Sequence, residues 1–438
     1  MRLVLKNIGM LKNAEINIKS LSIIAGENDQ GKSTVGKVVF CIIKAMSRYK
    51  EDLQESKEYK LNERLERSYF TLRRSIRPDN VEEPELFSLL HDIADSQLKI
   101  EARIAYFKDI VDILKHTPDF DKQQLEALES QALELQDLFK EPENIKRSIE
   151  NALSKVFASE FDSSILQNGE EEGFIQLYDG NAKLIDIKVS IDNRVKLLND
   201  VDKIEIKDAT FIETPLILNN HDLLIRSQAG LNIRRANLSR LGIPYTTLHT
   251  KDLFDKIVSL PIDDLTDIFG FGNDDQNTIF QKQINNIVNG SIEYDREKRS
   301  FIFKREEEQV SIKNTASGIK VFGILQLLSS NGFIKNNSIL IFDEPENHLH
   351  PKWQLDLAKT LVNLAKSGVS ILVSSHSPYM IEALKRYSEN VELENETGFY
   401  LAENRSIENR DRLEEIFTKL AEPFETFRNM DEELIKDE

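Results

Sequence analysis

A single cysteine, Cys41, stands among 438 residues. One thiol cannot build a disulfide framework, so stapled secreted scaffolds are excluded and a reducing compartment is the fitting one. Its place in the apolar stretch FCII predicts a buried helix position, not a reactive group. Long apolar runs are missing as well. None approaches the roughly 20 residues of a membrane-spanning helix, and the opening MRLVLKNIG lacks a signal-peptide layout. The expectation is a cytoplasmic protein with no membrane partner. Positive charge is in deficit: 57 Lys and Arg face 75 Asp and Glu, a formal net charge of −18. Such a surface repels phosphate backbones, so nucleic acid would need a local basic patch. Glycine is absent between Gly36 and Gly169. Charge is dense there, and stretches such as QLKIEARIAYFKDIVDILK and QLEALESQALELQDLF space their apolar residues as helices do. Pro78, Pro84, Pro118 and Pro142 punctuate them, which predicts a helical lobe over residues 50–168.

What is present begins with GENDQGKST, Gly26 to Thr34, directly after the apolar run LSIIA. Gly26, Glu27, Asn28, Asp29, Gln30, Gly31, Lys32, Ser33 and Thr34 fit a phosphate loop. Its two glycines let the chain bend so that successive N–H groups surround a phosphate. Lys32 would reach the β- and γ-phosphates, and the Ser33 hydroxyl would join a Mg²⁺ shell. The helical run TVGKVVFCIIKAM follows and would aim the positive end of its dipole at the same anion. The pattern predicts an ATP site with Mg²⁺.

Around this loop, residues 1–25 alternate as two or three short strands, with turns expected at Asn7-Ile8-Gly9 and Lys12-Asn13. FIQLYDGNAKLIDIKVSIDN reads as a meander turning at Asp179-Gly180, DATFIETPLIL as a strand, and SIEYDREKRSFIFKREEEQVSI as a hairpin. Over 315–385 helix and buried strand alternate. The strand SILIFDE ends in two acids, as a buried parallel strand with a ligand at its C-terminal end would. Asp343 would hold the Mg²⁺ shell, and Glu344 would act as general base on the attacking water. A second buried strand, SGVSILVSSHS, brings His376 to the same edge. Before them lies NTASGIKVFGILQLL, where Ser317 and Gly318 open an apolar helix and offer N–H groups to an anion.

In this order the motifs resemble the ABC-type ATPases of the SMC, RecF and OLD group. NTASGIK stands where their signature belongs, with ASG for the SGG of transporters. ILIFDEPENHLHP is Walker B with the D-loop, and SSHSPYMIEAL is the switch-histidine loop. The resemblance is tight over residues 1–45 and 310–385. Within the group, the run GIKxFGILQLL…DEPExHLHPxWQ…HSPYxxEAL is similar to prokaryotic defence ATPases of the Septu PtuA and PARIS AriA types. The resemblance implies an ABC-type α/β head with a mixed sheet and an inserted helical lobe. It also implies composite ATP sites in a homo-oligomer and a separately encoded effector, often an HNH or Toprim nuclease.

The expected division is 1–49 for the first part of the head, 50–168 for the lobe, 169–310 for a meander and helices, and 311–438 for the second part of the head. OLD nucleases append a Toprim domain, whereas only some sixty residues follow His376 here and end in the acidic ETFRNMDEELIKDE, so no nuclease of its own is expected. His348 and His350 read as D-loop residues, not a metal pair. Trp353 is expected under the sheet. Arg226, Arg234, Arg235 and Arg240, and separately Arg73, Arg74 and Arg77, form basic clusters that nucleic acid could use. The competing function is a RecF- or SMC-like DNA maintenance ATPase. A nucleotide-dependent scaffold without turnover is disfavoured by the intact Glu344.

Overall fold

The computed structural model describes residues 1–76, 84–95, 98–117, 120–140, 145–221, 224, 246–261, 274–306, 308–347, 349–409, 411–419, 422 and 428. Contacts divide the chain into two compact units, Met1–Ser47 with Glu150–Glu438, and Arg48–Ile149.

The first unit is built on an 11-stranded mixed sheet. Its strands are β1 (Arg2–Ile8), β2 (Leu11–Asn17), β3 (Leu21–Ala25), β4 (Glu172–Asp179), β5 (Ala182–Ser190), β6 (Val195–Leu197), β7 (Asp208–Ile212), β11 (Ser338–Asp343), β12 (Ser370–Ser375), β13 (Thr397–Glu403) and β14 (Ser406–Ile407). They lie in the order β6-β5-β4-β1-β2-β14-β13-β3-β12-β11-β7. The half from β13 to β7 is parallel, and the half from β6 to β2 is antiparallel. The short β13–β14 hairpin joins them, because β14 pairs parallel with β2. Every residue of β3 and of β11 is buried, which is why both read as unbroken apolar runs. A separate antiparallel sheet of β8 (Ser291–Asp295), β9 (Ser300–Arg305) and β10 (Glu308–Ser311) extends the expected hairpin by one strand.

Helices α1 (Lys32–Ser75), α5 (Ile145–Glu160), α6 (Leu248–Val258), α7 (Asp274–Val288), α8 (Ser317–Ser330), α9 (Pro351–Lys366) and α10 (Pro378–Asn390) complete the first unit or, for α1 and α5, contribute one end to it. Close approach explains Gly36, the last glycine before the gap. A Cβ there would stand 2.9 Å from both Ile341 and Phe211. Helix α1 therefore lies on the sheet at a distance only glycine allows.

The second unit holds α2 (Pro84–Ala94), α3 (Ile100–His116) and α4 (Lys122–Lys140). Ile104, Phe107, Ile110, Val111 and Leu114 make the buried face of α3, the 3-and-4 spacing of an amphipathic helix. Residues 150–168, placed with the lobe from sequence, make their contacts in the first unit. Gly9 N–H donates to Ile165 O (2.8 Å), and Ile8 bridges Leu166.

One turn and one strand differ from expectation. Lys12 and Asn13 lie inside β2, both exposed, and the hairpin turns at Gly9-Met10. Asn7 (φ 55°) and Gly9 (φ 56°) supply the left-handed conformations a tight turn demands. DATFIETPLIL is a strand only to Ile212; Pro215 then opens a 3₁₀ turn over Pro215–Leu218. Among the described residues no helix is long and apolar enough to cross a membrane.

Candidate functional site

Parallel strands share an edge at their C-terminal ends, and five of them end here. β3 delivers the phosphate loop, β11 delivers Asp343 and Glu344, β12 delivers His376, β7 delivers Glu213, and β13 leads to Ala402. The loop's shape depends on both glycines. Gly26 (φ 153°) lies so close to the β13 backbone that a Cβ would come 2.5 Å from Ala402 O. Gly31 (φ 87°) packs on Leu11, and Asp29 between them has φ 66°. Gln30 Oε1 accepts from Arg405 N (3.1 Å), so the turn after β13 holds the loop from outside. Thr34 is buried and its N–H donates to Gly31 O (3.1 Å). Glu27, Asn28 and Asp29 are exposed. Nothing among the described residues accepts from the N–H groups of Asn28, Asp29, Gln30 or Gly31. That leaves a curved row of donors with no internal acceptor, which suits an anion.

Lys32 is buried, with Nζ donating to Gly26 O (2.9 Å) and Glu27 O (2.8 Å) and standing 3.3 Å from Glu344 Oε1. Ser33 Oγ donates to Asp343 Oδ1 (3.0 Å), and Ser374 Oγ donates to the same oxygen. Burial pushes the Asp343 carboxyl above its ordinary value; the two serine hydroxyls pull it down, and the charges of Glu213 and Glu344 push it up again. A hydroxyl and a carboxylate 3.0 Å apart form a hard-oxygen pair. Such a pair fits Mg²⁺.

Glu344 takes a left-handed backbone (φ 49°), fixed where its N–H meets Ser374 O (3.0 Å) and its C=O accepts from Asn347 N (3.0 Å). For a residue with a side chain this conformation costs about 1–2 kcal/mol. Its Oε2 accepts from Asn347 Nδ2 (3.1 Å), while Oε1 faces Lys32 and His376 Nδ1, each at 3.3 Å. Burial raises the carboxyl, but the Asn347 hydrogen bond and the Lys32 and His376 charges outweigh it and hold Glu344 below the usual range. Thus Lys32, Ser33, Asp343, Glu344 and His376 converge in one place.

Ser317 and Gly318 belong to the first turn of α8. Helix α8 begins at Ser317, and Ala316 gives no side-chain cap. Gly318 is buried, and the atoms nearest its missing Cβ all belong to Trp353, the first at 2.2 Å. Trp353 thus packs on the first turn of α8, with Phe322 edge-on at 5.8 Å, against the core cluster that includes Phe342 and Val373 of the sheet. His350 caps α9, its ring accepting from Lys352 N (3.3 Å). His348, Arg77, Arg226, Arg234, Arg235, Arg240 and most of the acidic tail lie outside the described residues. Arg73 and Arg74 end α1.

Sequence reading missed three residues here. Glu213 follows β7 as Asp343 closes β11; Ile212 pairs with Phe342, which puts Glu213 beside Asp343. An apolar strand ending in an acid was the available signal. His249 bridges Glu160 (Nδ1 to Oε2, 2.6 Å) and Glu213 (Nε2 to Oε2, 3.2 Å). Burial would lower its pKa, but the bonds to the two carboxylates raise it to about 9. Glu346 is buried, and its Oε1 accepts from Ser375 Oγ (2.7 Å), His376 N (2.8 Å) and Ser377 N (3.2 Å).

The model of a family described as AAA ATPase domain matches residues 1–381. The Old nuclease of Escherichia phage P2 is 39% identical over 49 residues, 11% of this chain and 8% of that protein. The chain therefore spans a small part of this curated relative. The SMC head domain from Thermotoga maritima is 10% identical over 87% of this chain and 90% of that one, with a TM-score of 0.35. An Smc head domain with an extended coiled coil from Pyrococcus furiosus is 11% identical over 98% of each chain, with a TM-score of 0.37. Likenesses this weak leave fold and function to be read from the chain itself.

Proposed function

The chain belongs to the AAA ATPase domain family, and on that premise we propose that it binds and hydrolyses ATP in an ABC-type composite site. The observation that carries the reading is the meeting of Lys32, Glu344 and His376 beside the Ser33–Asp343 pair. In it, the N–H groups of the loop and Lys32 bind the phosphates. Ser33 and Asp343 would hold Mg²⁺, whose charge would offset that of the β- and γ-phosphates. Glu344 is the general base: the attacking water's oxygen bonds to the γ-phosphorus, its proton passes to Glu344 Oε1, and the bond to the ADP oxygen breaks. With Lys32 and His376 on that same oxygen, the base is oriented by the groups that face the phosphate.

Ser317 and the open N-terminal turn of α8 supply a surface for the nucleotide of a second copy, so two chains share two sites. ATP joins the heads and hydrolysis releases them. Biologically the chain serves antiviral defence, controlling a separately encoded effector of the nuclease type, and cuts no nucleic acid itself. The support is the sequence run shared with PtuA- and AriA-type proteins. The rival, a RecF- or SMC-like ATPase on DNA, has the basic clusters in its favour; strong DNA stimulation of turnover would select it.

Glu344→Gln tests the core of the reading. The variant keeps shape and removes the base. It is expected to bind ATP, to turn over at least about 100-fold more slowly, and to accumulate as an ATP-bound dimer in size-exclusion chromatography. Wild-type multiple turnover by this variant rules out Glu344 as the base.

A further inference from the structure

Two buried polar atoms of the candidate site have no hydrogen-bond partner: Nδ1 of His376 and Oε2 of Glu346. Buried polar atoms are nearly always hydrogen-bonded, so each orphan calls for an account. His376 Nδ1 stands between two carboxylates, 3.3 Å from Glu344 Oε1 and 3.5 Å from Glu346 Oε1, and is aligned for a bond to neither. The Glu346 side chain is only 3% exposed. Its Oε1 is taken up by the hydroxyl of Ser375 and the N–H groups of His376 and Ser377. Those three bonds fix the backbone that carries the imidazole. They leave Oε2 with no hydrogen to accept among the described residues.

We propose that Glu346 is the positioning residue of His376. Its carboxylate accepts the Nδ1 proton, which sets the tautomer and the turn of the ring and aims Nε2 at the phosphate side of the site. A bond from Nδ1 to this carboxylate gives the orphaned nitrogen its partner. A carboxylate suits the task because it only accepts; it can never donate to Nδ1 and reverse the tautomer. The role of His376 rests on the reading given above.

Glu346→Gln separates the parts. The amide oxygen can keep the three loop bonds, while the NH₂ group now faces Nδ1 as a donor and drives the proton to Nε2. Nitrogen-15 NMR of histidine-labelled protein reads the tautomer directly, with seven histidines to assign. The wild type is expected to show Nδ1 of His376 protonated, and Glu346→Gln to show it unprotonated. Turnover in the variant is expected to fall about 10- to 100-fold, with the Kd of a fluorescent ATP analogue within about twofold of wild type. In a His376→Ala background Glu346→Gln is expected to do nothing more, since it acts through the ring. An unprotonated Nδ1 in the wild type overturns the proposal without any variant. So does full turnover in Glu346→Gln when His376→Ala is crippled. Should His376→Ala turn over normally, the catalytic reading of that histidine falls, and the ring nitrogens still decide: a signal unmoved by Glu346→Gln overturns the contact.

Discussion

Glu213 and Glu160 hold His249 between them, and the imidazole ties the nucleotide edge of the sheet to the last residue of α5. A histidine raised to about 9 contributes stability in full below its unfolded value, near 6.5, and loses it as pH rises through 9. The shift sets an upper figure of about 3 kcal/mol. Wild-type urea stability is therefore expected to fall between pH 6.5 and 9.5, and His249→Asn to show no such fall. Equal slopes for the two proteins would mean that His249 is not the titrating group. At this scale the acids that end the strands of the sheet edge were legible when a motif framed them, as with Asp343 and Glu344. Glu213 has the same local pattern, but its meaning comes from β7 pairing with β11, more than a hundred residues away in sequence.

Between α8 and α9 the indole of Trp353 packs on the missing side chain of Gly318 and edge-on against Phe322. Trp353 covers Gly318 so closely that Gly318→Ala must move the ring or the helix. Overpacking of this kind costs about 1–3 kcal/mol. The loss is expected in urea unfolding of Gly318→Ala and should largely vanish when Trp353→Leu is added, a non-additive cycle. Additive losses would mean that the two residues do not meet. The indole is the chain's one tryptophan, so its fluorescence follows the same contact. The alternation from α8 to α10 could be read from the sequence because β11 and β12 are short unbroken buried runs while α9 and α10 bury residues at helical spacing. The hairpin of β13 and β14 could not, since TGFYLAE becomes a strand only by lying parallel to β3, nearly four hundred residues earlier.

For the whole molecule the decisive question is whether two chains share a site. The first turn of α8 must then face a neighbour's nucleotide, and Ser317 is the residue to change, because Gly318 is occupied with Trp353. Lys32→Ala and Ser317→Asp are each expected to be inactive, one through lost phosphate binding and the other through a carboxylate set against a phosphate. Mixed, about half the dimers are heterodimers with one intact site of two, and activity returns to about a quarter of wild type. Differently tagged subunits confirm the mixing. Heterodimers that form and stay inactive rule out shared sites that work independently.

The place of β3 in the sheet also bears on how the protein is made. Its two neighbours are β12 and β13, so the phosphate loop leaves the ribosome early and waits for strands made more than three hundred residues later. At about 5–20 residues per second that wait is roughly 20–80 s. Gly26 gains its backing from Ala402 only then. A nascent chain, or one cut short at residue 396, carries the phosphate loop, both acids and His376 and is still expected to bind no ATP in a filter assay. Competence for nucleotide thus arrives with β13, and a copy terminated before it cannot take a productive place in an assembly.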